Sequence, residues 1–325
     1  AGGFAFYRKE TYFYDQLPRF PELNTPTSRA RFKREFTAGY LGKVPGLDVE
    51  PLVAQSLEQC RRPAEFLPLL MAAVTKTQQM DRWVEGTPVH VLHMDAIKRD
   101  IPDALFLHVI RDGRDCALSM ARQPWNLKTW PWDASRRVGV AALFWEWMVK
   151  AGRAFGTNNA RDYLEVRFED LVTKPRTTLD RIGRFIDHDL TLDRIIRNRV
   201  EAIHRPNTSF SDEAARERFS PVGRWLAEDV RDDAKLCERL VGPYLKALGY
   251  TRAWHDAGTI SAFRVAWMRW VYLNSSHLKQ WIKTNTLLGR FVTSDRVWRE
   301  QPPDGQPPVR PIFSSSDGEP METRC

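Results

Sequence analysis

The chain has 325 residues, 42% of them hydrophobic and 28% charged, enough to bury one large core or one domain with appendages. Its net charge of +8 is thin over most of the length and dense only between 252 and 299, where eight Lys and Arg face two Asp, which argues against nucleic-acid binding by the main body. Cys60, Cys116, Cys237 and Cys325 lie far apart with no C-x-x-C pair, which argues against a zinc site or a disulfide framework, and no uncharged run reaches the roughly 18 to 20 residues of a spanning helix.

From residue 27 to about 80, apolar positions recur at three and four spacing (Leu52 and Leu57; Phe66, Leu69, Leu70, Ala73 and Val74) between Pro45, Pro51 and Pro63, which predicts a helical insertion. A short strand is expected at 81–85 and a helix from Pro88, proline being suited to the first helical turn. The run 104–110, apolar but for His108, reads as a strand of a parallel sheet buried on both faces, and a helix follows over 113–122. QPWNLKTWPWD reads as a loop whose rings, Trp125, Trp130 and Trp132, either stack on an acceptor or pack the loop onto the next helix, which Ser135 caps and which runs to about Phe155. A strand over 163–168 and a helix over 175–186 follow; later a helix over 228–248 is stopped by Gly249. Residues 301–325, rich in Pro, Gly and Ser, read as a disordered tail.

This alternation of strands and helices predicts a three-layer α/β fold with a central parallel sheet, a helical insertion and a C-terminal helical extension. In such sheets ligands sit at the carboxyl ends of the strands, and Arg111 stands at that end of the run 104–110. An Arg there, ahead of a helix start, can grip a phosphate in a bidentate fork while free N–H groups of the helix point at the same place. Taken alone, the segment allows a second reading in which Arg111 pairs with Asp112 or Asp115 and Ser119 is a half-buried small residue. Arg114 and Arg122 read as solvated surface arginines that add field to the site.

Four segments together carry a resemblance. HVIRDGRDCALS places Arg111 and Ser119 on a strand-end R-D-x-x-D-x-x-x-S pattern, RWVEGTPVH precedes it, YLEVRFEDLVTKP follows, and RFSPVGRW fits R-x-x-x-x-G-x-W. In this order and spacing they resemble the sulfotransferases that use 3′-phosphoadenosine 5′-phosphosulfate (PAPS), over about residues 5 to 250. The resemblance implies a P-loop-like fold and a donor 3′-phosphate held by Arg111, Ser119, Arg218 and Gly223. It further implies Phe168 as an adenine platform and Trp225 as a packing anchor of a lid segment. YRKETYFYD is similar to a family segment that carries a carboxylate, which makes Glu10 the candidate general base, with His90 as the alternative and His93 one turn on.

The resemblance also has departures. Gly86 stands where many relatives have Lys, and Phe168 where relatives often have Tyr. No stretch resembles the family's 5′-phosphosulfate loop, so the chain is expected to begin roughly 20 residues late and, as it stands, to be inactive. The division expected is a sulfotransferase domain over 1–250 lacking its first strand and that loop, a basic amphipathic helical extension over 251–300, and the tail 301–325. The implied reaction moves a sulfuryl group from PAPS to a hydroxyl acceptor, whether glycan, lipid, small molecule or protein tyrosine, without a metal. Rival readings are a nucleotide kinase of related fold and a nucleotide-binding homologue that has lost transfer. No nucleic-acid partner is expected. Ile260, Phe263, Trp267, Trp270, Val271, Leu278 and Trp281 make an apolar stripe at helical spacing, flanked by Arg264, Arg269, Lys279 and Lys283. It is expected to pack against the domain or a second subunit, the alternative being contact with an anionic membrane surface or an acidic acceptor. A cytoplasmic location is expected, the alternative being the Golgi lumen with an N-terminal anchor outside the sequence.

Overall fold

A computed structural model describes residues 3–122, 137–195, 221–254, 261–293 and 298. The fold is mixed α/β and mostly helical. Its strands are short: β1 (Phe4–Phe6), β2 (Lys43–Val44), β3 (Leu47–Asp48), β4 (Arg82–Val84), β5 (Phe106–Ile110) and β6 (Tyr163–Arg167). β1 pairs in parallel with β4, β5 pairs in parallel with β6, and β2 and β3 form a small antiparallel hairpin. Among the described residues the two parallel pairs are separate two-stranded sheets rather than one continuous layer. The strand–helix alternation in the sequence dictates parallel pairing, but it does not say which pairs lie edge to edge.

The helical insertion expected after residue 27 is three helices, α2 (Pro26–Thr37), α3 (Val49–Gln59) and α4 (Phe66–Gln78), preceded by the single turn α1 (Phe13–Gln16). Thr25 starts α2 as an N-cap: its hydroxyl accepts from Ser28 N–H at 3.1 Å, with Pro26 in the first turn. Pro51 opens a helix rather than breaking one, since it sits in the first turn of α3, where its missing N–H has no partner to lose. After β4 the chain makes a 3-10 turn over Pro88–His93 and then α5 (Met94–Asp100). The remaining helices are α6 (Gly113–Ala121), α7 (Arg137–Asn158), α8 (Phe168–Thr173), α9 (Pro175–Ile186), α10 (Arg231–Ala247), α11 (Ala262–Asn285) and α12 (Gly289–Val292). α10 stops as its sequence requires: Gly249 N–H donates to Lys246 C=O at 2.9 Å and Tyr250 N–H to Leu245 C=O at 3.0 Å, which together close a Schellman motif.

Two large cores form. The first joins Phe13, Phe32, Phe36, Phe66 and Leu70 of α1, α2 and α4 with Trp298, whose ring stacks on Phe20 at 5.5 Å and whose Nε1 donates to Thr11 C=O at 2.8 Å. The second lies between α6, α7 and α10 and contains Ile110, Leu143, Trp145, Leu240 and Leu245. The described residues after 251 are therefore fastened to the body. Arg269 of α11 forks onto Glu146 at 2.7 and 2.9 Å, Lys283 pairs with Asp15, and Trp298 fills the first core. None of the described helices is long and apolar enough to cross a membrane.

The expectation that β5 is buried on both faces is overturned. Phe106 and Ile110 are buried under α7, with the Phe106 and Phe155 rings 4.7 Å apart, whereas Leu107 and Val109 on the other face are 41% and 44% exposed. Apolar residues on both sides of a strand state that both faces are suited to burial; which face is covered depends on where the helices lie. The expectations for Trp125, Trp130, Trp132 and Ser135, and for the tail 301–325, lie outside the described residues.

Candidate functional site

The end of β5 is built to present Arg111. Asp112 caps α6, accepting the Arg114 N–H on its side chain at 2.9 Å, while its own N–H donates to Glu169 at 2.8 Å. Gly113 is required by close approach, since a Cβ at this position would come within 2.6 Å of the Trp145 ring on α7. That same indole holds the Arg111 carbonyl through an N–H bond of 3.1 Å. The backbone on both sides of the Arg111 side chain is thus fixed before any ligand is considered.

Arg111 reaches out from this turn over the Phe168 ring, its guanidinium carbon 5.0 Å from the ring centre. It donates to the Pro221 carbonyl and sits 3.6 Å from Asp115. Its Nε is buried with no hydrogen-bond partner. The pairing with Asp115 that the sequence allowed is therefore present, and it leaves part of the fork unused.

Asp115 also determines where the segment after Pro221 lies. Its carboxylate accepts the Gly223 N–H at 2.9 Å and the Trp225 N–H at 3.0 Å, clamping this turn over the start of α6. Gly223 has φ +76°, a left-handed conformation in which a side chain is strained. Burial pushes the Asp115 carboxyl above the ordinary carboxylate range, with Arg111 and the two N–H groups pulling the other way. Asp115, Ser119 and Arg122 follow at spacings of four and three, so they share one face of α6 beneath the clamped turn. Ser119 is half-buried.

Arg224 is the residue that sequence reasoning missed. It enters this site from the clamped turn, and its pKa is lowered, first by burial and then by repulsion from Arg122 and Arg111, each of which outweighs the attraction of Asp115 and of Asp229. A guanidinium repelled by two others nearby marks a field that favours an anion. The signal was present in the GRW sequence, but nothing local in it said that the turn folds back onto α6.

Arg114 corrects another expectation. Far from being a solvated surface arginine, it is 1% exposed and held by Asp112, Glu238 and the Thr251 carbonyl, with its guanidinium carbon 3.3 Å from the centre of the Trp225 ring. Its fork is used up in joining α6 to α10. The periodicity of a short helix cannot reveal a buried acid 124 residues away.

Glu10 and His90 meet in a different place, around Glu85. The Glu85 carboxylate accepts from the Thr11 hydroxyl at 2.9 Å, the Thr87 N–H at 2.9 Å and the Thr87 hydroxyl, and lies 2.9 Å from His90 Nδ1. Burial works to raise its pKa, but the bonds from His90 and Thr87 outweigh it and hold the carboxyl down at about 2. The other nitrogen of His90, Nε2, receives the Tyr14 N–H at 3.4 Å, so both edges of the ring are engaged. Glu10 accepts the Tyr12 hydroxyl at 2.6 Å. Burial pushes its pKa up against that bond, and the neighbouring Glu85 charge adds to the rise. His93 lies 3.6 Å from Asp15, and burial holds its pKa below the ordinary imidazole value.

The structure thus brings Phe168 beside Arg111 and Gly223 onto Asp115 at the start of α6, with Ser119 one turn beyond Asp115 on the same helix, and gathers Glu10 with His90 around Glu85. Arg218 lies outside the described residues. Gly86 has room beside it, as a Cβ would touch only the Phe6 ring at 3.5 Å. Among the described residues no group of His, Cys, Asp or Glu has an arrangement that could hold a metal ion.

A family model described as the sulfotransferase family matches residues 9–192, more than half of the chain. No curated protein and no solved structure matches it.

Proposed function

The chain belongs to the sulfotransferase family, and from that premise we propose that it binds PAPS with the donor 3′-phosphate at the arginine cluster of β5 and α6, for transfer of the sulfuryl group to a hydroxyl acceptor. The observation that carries this reading is the guanidinium of Arg111. The backbone that carries it is held by the Trp145 indole, its Nε is buried without a partner, and Arg122 and Arg224 lie near enough to repel one another beside it. A doubly charged phosphate relieves that repulsion. The Ser119 hydroxyl, on the same helix face, adds a further donor, and the Phe168 ring offers a flat surface for adenine.

Sulfuryl transfer makes a bond from sulfur to the acceptor oxygen, breaks the bond from sulfur to the donor phosphate, and releases the acceptor hydroxyl proton. Glu10 is the residue assigned to take that proton. Its raised pKa makes it a better proton acceptor than an ordinary surface carboxylate, as general-base work requires. His90, engaged on both ring nitrogens, is assigned to position the segment that carries Glu10.

The test is a calorimetric titration with adenosine 3′,5′-bisphosphate and with adenosine 5′-phosphate. A charge-assisted contact to the extra phosphate predicts a preference of at least about tenfold for the bisphosphate, lost in Arg111→Ala. Equal affinity for the two nucleotides would remove the 3′-phosphate assignment.

A further inference from the structure

α11 is held against the body by two basic residues that point inward. Arg269 forks onto the buried Glu146 of α7, and Lys283, itself buried, pairs with Asp15. With its inner side pinned in this way, the helix cannot roll to hide its outer side.

That outer side is apolar. Phe263, Trp267, Trp270, Leu278 and Trp281 are each more than half exposed. At about 100° per residue their positions fall within one arc of roughly 80°. The Trp267 and Trp270 rings stack on each other at 5.7 Å in full view of solvent. The strip goes on past the helix through Leu287, Leu288 and Phe291, again more than half exposed. An apolar face this long on a soluble surface marks a docking site.

Charge decides what docks there. From residue 261 to 293 the sequence has five Lys and Arg and no Asp or Glu. Two of the five are turned inward, while Arg264, Lys279 and Arg290 are exposed. A second copy of the chain seated about a two-fold axis would bring Arg264 and Arg290, which rim the strip, against their own copies with no acid of the same stretch to offset them. An anionic lipid surface offers the opposite charge, and tryptophan prefers the level of the headgroups, where its ring is apolar and its N–H stays wet. No described helix can span a bilayer, so the fitting geometry is a helix lying flat in the interface.

We propose that the outer face of α11, continued through Phe291, seats the protein on an anionic lipid bilayer. The proposal does not depend on the donor assignment.

Co-sedimentation of the full chain with phosphatidylcholine vesicles, and with vesicles that also contain phosphatidylserine, tests it. Binding is expected to the mixed vesicles, to weaken with salt, and to shift tryptophan emission to the blue. The variant Trp267→Ser/Trp270→Ser/Trp281→Ser should lower the partition coefficient by more than about tenfold while leaving the melting temperature near that of the parent, since all three rings are exposed. Arg264→Glu/Arg290→Glu should weaken binding to the mixed vesicles without abolishing it. A parent chain that stays in the supernatant with the mixed vesicles, or a triple variant that binds as the parent does, overturns the proposal. So does a parent that sediments as a dimer without lipid and a triple variant that sediments as a monomer, because that result assigns the face to a second copy.

Discussion

Arg111 and Arg114 stand three residues apart at the start of one helix, yet the two guanidiniums have opposite surroundings. Arg114 is buried and meets four acceptor atoms from Asp112, Glu238 and Thr251. Arg111 leans outward with one carbonyl, one carboxylate at 3.6 Å and a buried Nε that has no partner. The Glu85 region resembles the first of these, with a carboxylate whose acceptor positions are filled by Thr11, Thr87 and His90. What separates an architectural charge from a ligand-binding one is the balance of partners around it. Burial alone does not make that distinction.

The comparison breaks most visibly at Arg114. Arg114→Ala leaves Asp112 and Glu238 buried without their cation and is expected to cost about 3–5 kcal/mol, read as a lowered urea midpoint. A change below about 1 kcal/mol would mean that its four contacts are not what joins α6 to α10.

Next comes Glu85→Ala, which strands the Thr11 hydroxyl, the Thr87 N–H and His90, all on buried residues. About 2–3 kcal/mol is expected by the same measurement. An effect as small as that of a surface substitution would show water satisfying these groups as well as Glu85 does.

Asp15 gives a pH-dependent case. Burial raises its pKa, but His93 and Lys283 outweigh burial and hold the carboxyl at about 2. A folded value below the unfolded one adds stability above the unfolded pKa of about 3.9, and that stability is lost as pH falls through the folded value. The gap corresponds to about 2–3 kcal/mol. Urea unfolding of the parent and of Asp15→Asn should differ at pH 7 and converge toward pH 2; curves that stay parallel would place the acid sensitivity elsewhere.

The smallest stability effect belongs to Arg111→Ala. Its partners keep other bonds, Asp115 with the Gly223 and Trp225 N–H groups, so a loss within about 1 kcal/mol is expected beside the tenfold loss of bisphosphate affinity. Glu10→Gln should leave that affinity within about twofold, because Glu10 is built into the other region. If the two variants behaved alike in the titration, the separation of a phosphate end from a proton-accepting end would be gone.

Much of this was legible in the chain itself. The apolar run ending at Arg111, the Pro-opened α9, the Gly-stopped α10 and the aromatic stripe of α11 follow from local preferences and periodicity, which act over a few residues and are written in them. The motifs around Arg111, Phe168 and Gly223 were legible for the same reason, and three long-range contacts were not: Asp115 reaching 108 residues to Gly223, Arg114 reaching 124 to Glu238, and, in the first core, Trp298 reaching 287 to Thr11. Those contacts belong to the tertiary structure alone. A side chain's chemistry is fixed by its type, but whether its charge is spent on a neighbour or left for a ligand depends on which distant segment the fold brings beside it.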